Sequence, residues 1–180
     1  SFNSDIGVPL TVLGVPNGWA NPPQWLKNLI EGLFLIVISA PYPKWLVVEV
    51  GADRPGDITR SLSWLSPHVV VGTRFPEVPV HVEFYASPAD VAKEEMAPLL
   101  ALQAGGVAVV SAEDERSKKI NLKEGVQKIT YGFEESADVK GGRFLITSKN
   151  KMPTGISFDV AYRDERAHIV LPGILGRTHA

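Results

Sequence analysis

Between Trp45 and Ile58 the chain reads WLVVEVGADRPGDI, and this stretch restricts the fold more than any other. Four consecutive apolar residues, Trp45 to Val48, show no polar alternation, so both faces of the segment call for apolar cover. That is the pattern of an interior strand in a mostly parallel sheet with helices on both sides. Glu49 interrupts the run near its carboxyl end, and Gly51-Ala52-Asp53-Arg54-Pro55-Gly56 follows as a turn that opens a helix at Asp57. Open α/β sheets bind their ligands at the carboxyl ends of the strands, which places Glu49 for binding. A solvated carboxylate at a strand end fits the same residues, and the stretch alone leaves both readings open.

A length of 180 residues suits one domain with a sizeable core. With 44% hydrophobic and 21% charged residues, the composition is that of a soluble globular protein. The net charge of -2 supplies no basic field, so neither nucleic acid nor a membrane surface is an expected partner. No cysteine is present, which excludes disulfides and thiolate metal sites. The first residues, SFNSDIGVPL, lack the basic and apolar regions of a secretory signal, and the expected compartment is the cytoplasm. The most apolar run, Gly32 to Ala40, is far shorter than the ~20 residues of a membrane span. Upstream of it, Trp25, Leu26, Leu29, Ile30, Leu33 and Val37 share one helical face, and Lys27, Asn28 and Glu31 the other. This spacing predicts an amphipathic helix buried against a sheet.

Pro41 and Pro43 end that helix. After Asp57 the segment ITRSLSWLS predicts a short helix, and His68 to Val71 a second apolar strand ending at Gly72. Strand, helix and strand in that order predict a right-handed parallel crossover. Residues 74–80 form a proline-bearing loop that delivers His81 and Glu83 to the side of the sheet where function concentrates. Ser87-Pro88-Ala89-Asp90 is a helix start with a capping serine and a proline in the first turn. Within this helix Pro98 is expected to introduce a kink or to end the regular part near Ala97. Val107 to Val110 predicts a third strand, and the acidic run from Glu113 caps a short polar helix. From Gln127 onward KITYGF, RFLITS, ISFDVAY and HIVLP alternate with turn residues and predict antiparallel pairing. The expected architecture is therefore α/β: a mostly parallel sheet flanked by helices over residues 1–126, then a small antiparallel β-subdomain over 127–180.

Of the four histidines, His68 and His168 fall in strand segments and read as structural, and His179 lies beside the chain end. His81 is better placed, after the proline-bearing loop. Together with Glu49 it offers an oxygen and a nitrogen donor for a divalent cation, a weak metal signal because magnesium prefers oxygen and keeps its waters. No Gly-x-Ser-x-Gly turn supports a nucleophilic serine. No Gly-x-x-x-x-Gly-Lys-Ser/Thr loop is present either, and Gly173 to Thr178 imitates one without its lysine.

Several of these motifs fall in a familiar order: Asn3 to Leu10, Val48 to Ile58, His81-Val82-Glu83-Phe84 with Ser87, Ser111 to Asp114, Tyr131-Gly132, and Leu171-Pro172-Gly173 to Arg177. As a set they resemble the central domain of the Mur ligase family, with its P-loop NTPase-like fold, over nearly the whole chain. The nearest branch is the one that adds D-alanyl-D-alanine to a UDP-N-acetylmuramoyl peptide in peptidoglycan precursor synthesis. The resemblance implies an ATP-dependent ligase that phosphorylates a substrate carboxylate and passes the acyl group to an amine, with Mg2+ clamping the phosphates. It implies metal sites at Glu49 and His81 and places Asn3 beside the nucleotide cleft.

Where many members carry a lysine fourteen residues after the histidine, this chain has Glu95, which the resemblance implies would keep a carboxylate near the metal, while Lys93 nearby leaves a second register open. Ser111 stands in place of the usual asparagine. The family's phosphate loop lies upstream of the asparagine stretch, and further domains contact ATP, the amino acid and the UDP sugar. The 180 residues alone are expected to lack turnover, and the substrates to belong to the full-length parent. A non-catalytic binding or scaffold module is the alternative reading.

Overall fold

The computed structural model describes Asn3 and residues 5–38, 41–75 and 81–176. They divide into two compact units, Ser1–Ser66 with Glu77–Pro98 and Pro67–Pro76 with Leu99–Ala180. Residues 76–80 of the proline-bearing loop, and His179, lie outside the described residues.

In the first unit the described residues form helices α1 (Gly7–Leu13), α2 (Pro22–Val37) and α3 (Asp57–Leu62), a 3-10 turn at Val82–Phe84, and most of α4 (Pro88–Ala101). Gly14 stops α1 by adopting the left-handed conformation, with φ 69°, in which its N–H reaches back to the Leu10 and Thr11 carbonyls. α2 begins where Asn21 accepts a hydrogen bond from the Gln24 N–H at 3.2 Å and two prolines fill the first helical positions. Asn28 is buried, and its amide donates to the Pro16 carbonyl at 2.7 Å while accepting from Gln24 at 2.8 Å, which fastens the preceding loop to the helix. Val8, Leu10, Val15, Ala52, Ile58, Val91 and Ala92 are the buried apolar residues of this unit.

Two expectations for this unit are corrected. α2 forms, but as a largely uncovered helix: Asn28 and Gly32 are its buried residues, whereas Leu29 is 71% and Ile36 83% exposed. The spacing of apolar residues sets the helix and its stripe, but burial needs a sheet to dock on, and the first unit holds no strand among its described residues. Trp45 to Val48 likewise adopts no strand, and Val47 is 89% exposed. A strand exists only through a neighbour that takes up its backbone groups, and among the described residues none pairs with this segment.

The second unit is built on one six-stranded sheet in sequential order: β1 (Val69–Gly72), β2 (Val107–Ser111), β3 (Gln127–Gly132), β4 (Val139–Lys149), β5 (Met152–Tyr162) and β6 (Glu165–Pro172). The pairs β1–β2, β2–β3 and β3–β4 are parallel, and β4–β5 and β5–β6 antiparallel. The mostly parallel sheet with an antiparallel end is thus present, with its boundary later than expected. β3 joins the parallel part because the link from β2, which carries α5 (Glu115–Lys118), is long enough for a crossover. The Asp114 carboxylate caps α5 by accepting from Arg116 N–H at 2.8 Å and Ser117 N–H at 3.2 Å, and it also accepts from Phe75 N–H at 2.8 Å.

The core of this unit centres on Leu99, Leu102, Ala108 and Val110, packed by Val70, Phe75, Ile120, Leu122 and Val126. Pro98 does not end α4, which runs on to Ala101. The proline removes one backbone hydrogen bond, and the burial of Leu99 and Leu102 just beyond it outweighs that loss. No helix among the described residues is long and apolar enough to cross a membrane.

Candidate functional site

Two turns of the first unit bring its chemistry together. In the turn 51–57 Asp57 accepts from the Arg54 N–H at 2.8 Å, the Arg54 carbonyl accepts from the Asp57 N–H at 3.2 Å, and Gly56 takes the left-handed conformation at φ 90°. Only a glycine enters that conformation at little cost, so Gly56 lets the turn run directly into α3. Buried Ile58 anchors the start of the helix.

Asn3 lies against this turn. Its carbonyl accepts from Gly51 N–H at 3.1 Å, and its amide donates toward Glu49 Oε1 at 3.4 Å. A Cβ on Gly51 would come within 3.0 Å of the Asn3 amide nitrogen, so the glycine permits this approach. The sequence-predicted residues Asn3 and Glu49 are therefore neighbours, and Glu49 is exposed.

His81 sits at φ 62° and leads the 3-10 turn, its carbonyl accepting from Phe84 N–H at 3.1 Å. Its Nε2 lies 3.6 Å from Asp53 Oδ1, an ion-pair distance longer than a hydrogen bond. The imidazole stacks over Phe84 at 6.4 Å between centroids, and the Arg54 guanidinium lies 5.5 Å from the centre of the same phenyl ring. No hydrogen bond or ion pair joins Glu49 to His81, and no group of three His, Cys, Asp or Glu residues is arranged to hold a metal among the described residues.

Glu95 is half-buried on α4. Its neighbour Glu94 accepts from the Thr59 N–H at 3.0 Å and Thr59 Oγ1 at 3.4 Å, which ties α4 to α3. The Tyr85 hydroxyl is closed to solvent without a hydrogen-bond partner. Burial, reinforced by the carboxylates of Glu94, Asp57, Glu95 and Asp53, pushes its pKa up to about 12, so the phenol is neutral at any physiological pH.

The described contacts are thus separate pairs, Asn3 with Glu49 and Asp53 with His81. Magnesium prefers carboxylate oxygen, but the described residues bring no three ligating side chains together around one point. Asp53 and Tyr85 escape the reading from sequence. Asp53 appears there only as part of a turn, and its pairing with a histidine 28 positions later is set by tertiary structure.

Residues 34–179 match the family described as the Mur ligase middle domain. Among solved structures, MurF from Acinetobacter baumannii superposes with a TM-score of 0.66 at 18% identity, over 99% of this chain and 32% of that one. The UDP-N-acetylmuramoylalanyl-D-glutamyl-2,6-diaminopimelate--D-alanyl-D-alanyl ligase from the same organism gives 0.64 at 18% identity, over 99% and 32%. MurF ligase from Thermotoga maritima, solved in complex with ADP, gives 0.61 at 20% identity, over 82% and 33%. At these identities the likeness establishes the fold, and the chain spans about a third of the length of these relatives. No curated protein matches the chain in sequence.

Proposed function

Because the chain belongs to the Mur ligase family, as a middle domain, we propose that it serves an ATP- and Mg2+-dependent ligase of peptidoglycan precursor synthesis. In this reading the full-length protein joins D-alanyl-D-alanine to a UDP-N-acetylmuramoyl peptide in the cytoplasm. The observation that carries it is the family match over residues 34–179, which takes in Glu49, His81 and Glu95. The Mur ligases of like fold, one of them holding ADP, support the nucleotide.

Glu49 and His81 are the proposed Mg2+ ligands, with Glu95 supplying a further carboxylate in place of the family lysine. When bound, the cation would neutralise phosphate charge during transfer to the substrate carboxylate. Asn3, beside Glu49, would face the nucleotide and hold the Glu49 carboxylate in place. The 180 residues alone lack turnover in this proposal, since they carry no phosphate-binding loop.

Calorimetric titration of the chain with MgCl2, in native form and as Glu49→Ala and His81→Ala, tests the metal assignment. Each substitution is expected to weaken binding at least tenfold, and native affinity in both variants would refute it. ADP release by the full-length protein that requires both proposed substrates tests the reaction. ATP hydrolysis indifferent to both would refute that part.

A further inference from the structure

We propose that the outward face of α2 docks on a phospholipid bilayer, the helix lying along the membrane surface with its apolar side chains among the acyl chains. The proposal does not rest on the ligase reading, because the family match begins at residue 34 and most of α2 precedes it.

The helix is mounted in reverse of what water dictates. Asn28 and Gly32, one turn apart, are its buried residues, and Gln24, one turn earlier, is half-buried and donates to the Asn28 side chain. Asn28 in turn donates to the Pro16 carbonyl, and a Cβ on Gly32 would lie 3.5 Å from the Leu13 methyl groups of α1. The stripe of small and polar residues, which ordinarily meets solvent, therefore holds the helix to its own unit. Residues three and four apart share a helix face. Fastening one stripe thus turns Leu26, Leu29, Leu33, Phe34, Ile36 and Val37 outward, and all six are exposed.

The chemistry of this face selects lipid over protein. A protein interface of ordinary size exchanges about ten hydrogen bonds, and these six side chains offer none. Hydrocarbon asks for none. Lys27, also exposed, reaches Glu31 at 3.5 Å. Trp19 precedes the helix and Tyr42 and Trp45 follow it, all exposed, and tryptophan and tyrosine concentrate at the boundary between membrane and water. The Trp25 indole donates to the Trp19 carbonyl and the Tyr42 hydroxyl to the Val12 carbonyl, which ties both flanking segments to α2 and α1. Between Trp19 and Val48 two lysines, Lys27 and Lys44, stand against one acid, Glu31, so this segment is cationic in a chain of net charge -2 and complements lipid phosphates where the whole chain does not. The 16 residues of α2 measure about 24 Å, less than the ~30 Å hydrocarbon core, so the helix lies on the bilayer and does not cross it. Because one net charge attracts weakly, insertion of the apolar face supplies the affinity.

The test is flotation of the 180-residue chain and of the full-length protein with phosphatidylcholine vesicles, with and without added phosphatidylglycerol. Both proteins are expected to float with either vesicle. Leu29→Gln and Ile36→Gln should each lower partitioning about tenfold, the effect of withholding one such side chain from hydrocarbon. Leu145→Gln, at an exposed leucine of the second unit, should leave it unchanged. Glutamine is uncharged and forms helix about as well as leucine, and an unchanged far-ultraviolet circular dichroism spectrum certifies that each variant is folded. A native chain that stays in the aqueous fraction overturns the proposal, as does flotation indifferent to Leu29→Gln and Ile36→Gln. Flotation that requires phosphatidylglycerol would mean adsorption by charge and overturns insertion. Flotation of the chain but not of the full-length protein would mean that further sequence covers α2, which overturns the membrane role. Sedimentation equilibrium without lipid gives the remaining outcome: a native dimer that Leu29→Gln abolishes assigns the face to a second copy and overturns the membrane reading.

Discussion

The Tyr85 phenol is the residue in which the environment of the site is most directly measurable. A hydroxyl buried without a partner returns nothing for its lost hydration. Its pKa, raised from 10.0 to about 12, means that the folded chain holds this proton more tightly than the unfolded chain. The contribution to stability is therefore complete below pH 10 and is lost as the pH rises to about 12. Urea unfolding of the native chain and of Tyr85→Phe, compared across pH 8 to 12, should give equal or greater stability for the variant at the low end and a shallower decline at the high end. A variant that declines as steeply as the native chain would mean that Tyr85 ionises as freely folded as unfolded. None of this is legible in HVEFY, where position alone singles out His81 and Glu83. Glu49 and His81 stand out in the sequence by position alone, one after an apolar run that pairs with no strand among the described residues and the other after a proline-bearing loop. Asp53 and Tyr85 act through neighbours that only folding supplies.

Local chemistry defines the helix starts and turns closely. Ser87 begins α4 as its spacing predicts, donating to Asp90 at 2.6 Å and accepting from the Asp90 N–H at 3.3 Å, and Asp114 does the same work for α5. Strand direction is less readable: β3 looks like the strands after it, and only its pairing with β2 reveals that it runs parallel. The β4–β5 hairpin closes at Asn150-Lys151, both at positive φ, 51° and 65°, between the paired residues Lys149 and Met152. This is the mirror-image turn that matches strand twist, and its second position favours glycine. Lys151→Gly should stabilise the chain by about 0.5–1 kcal/mol by relieving a left-handed lysine. The opposite result is expected four residues on, where a Cβ at Gly155 would lie 2.5 Å from the Leu171 carbonyl oxygen across the β5–β6 pair. Because that obstacle is backbone, Gly155→Ala should cost about 2 kcal/mol. Equal midpoints for the two variants in thermal melts would contradict both assignments.

At the scale of the whole chain, hydrophobic pattern and burial part company. The apolar residues of α2 and of Trp45 to Val47 are as hydrophobic as those of the second unit's core, yet Trp45 is 82% exposed while Leu99 and Leu102 are fully buried. Periodicity reports which residues want cover, and it cannot report whether cover is at hand. Large exposed apolar areas of this kind are uncommon on monomeric proteins and are associated with contacts to other surfaces. The energetic consequence is a sharp asymmetry between residues of one type. Leu102→Ala removes buried methyl groups from the cluster with Ala108 and Val110 and should cost about 2–5 kcal/mol. Leu29→Ala, at 71% exposure on α2, has little burial to lose and should change stability by less than about 0.5 kcal/mol. Alanine also favours the helix at least as well as leucine, so propensity adds no penalty. Urea unfolding of the two variants decides the matter. A cost at Leu29 comparable with that at Leu102 would mean that α2 is covered in solution, by a second copy or by additional sequence, and dilution of the sample would then separate those two, because only the copy is lost on dilution.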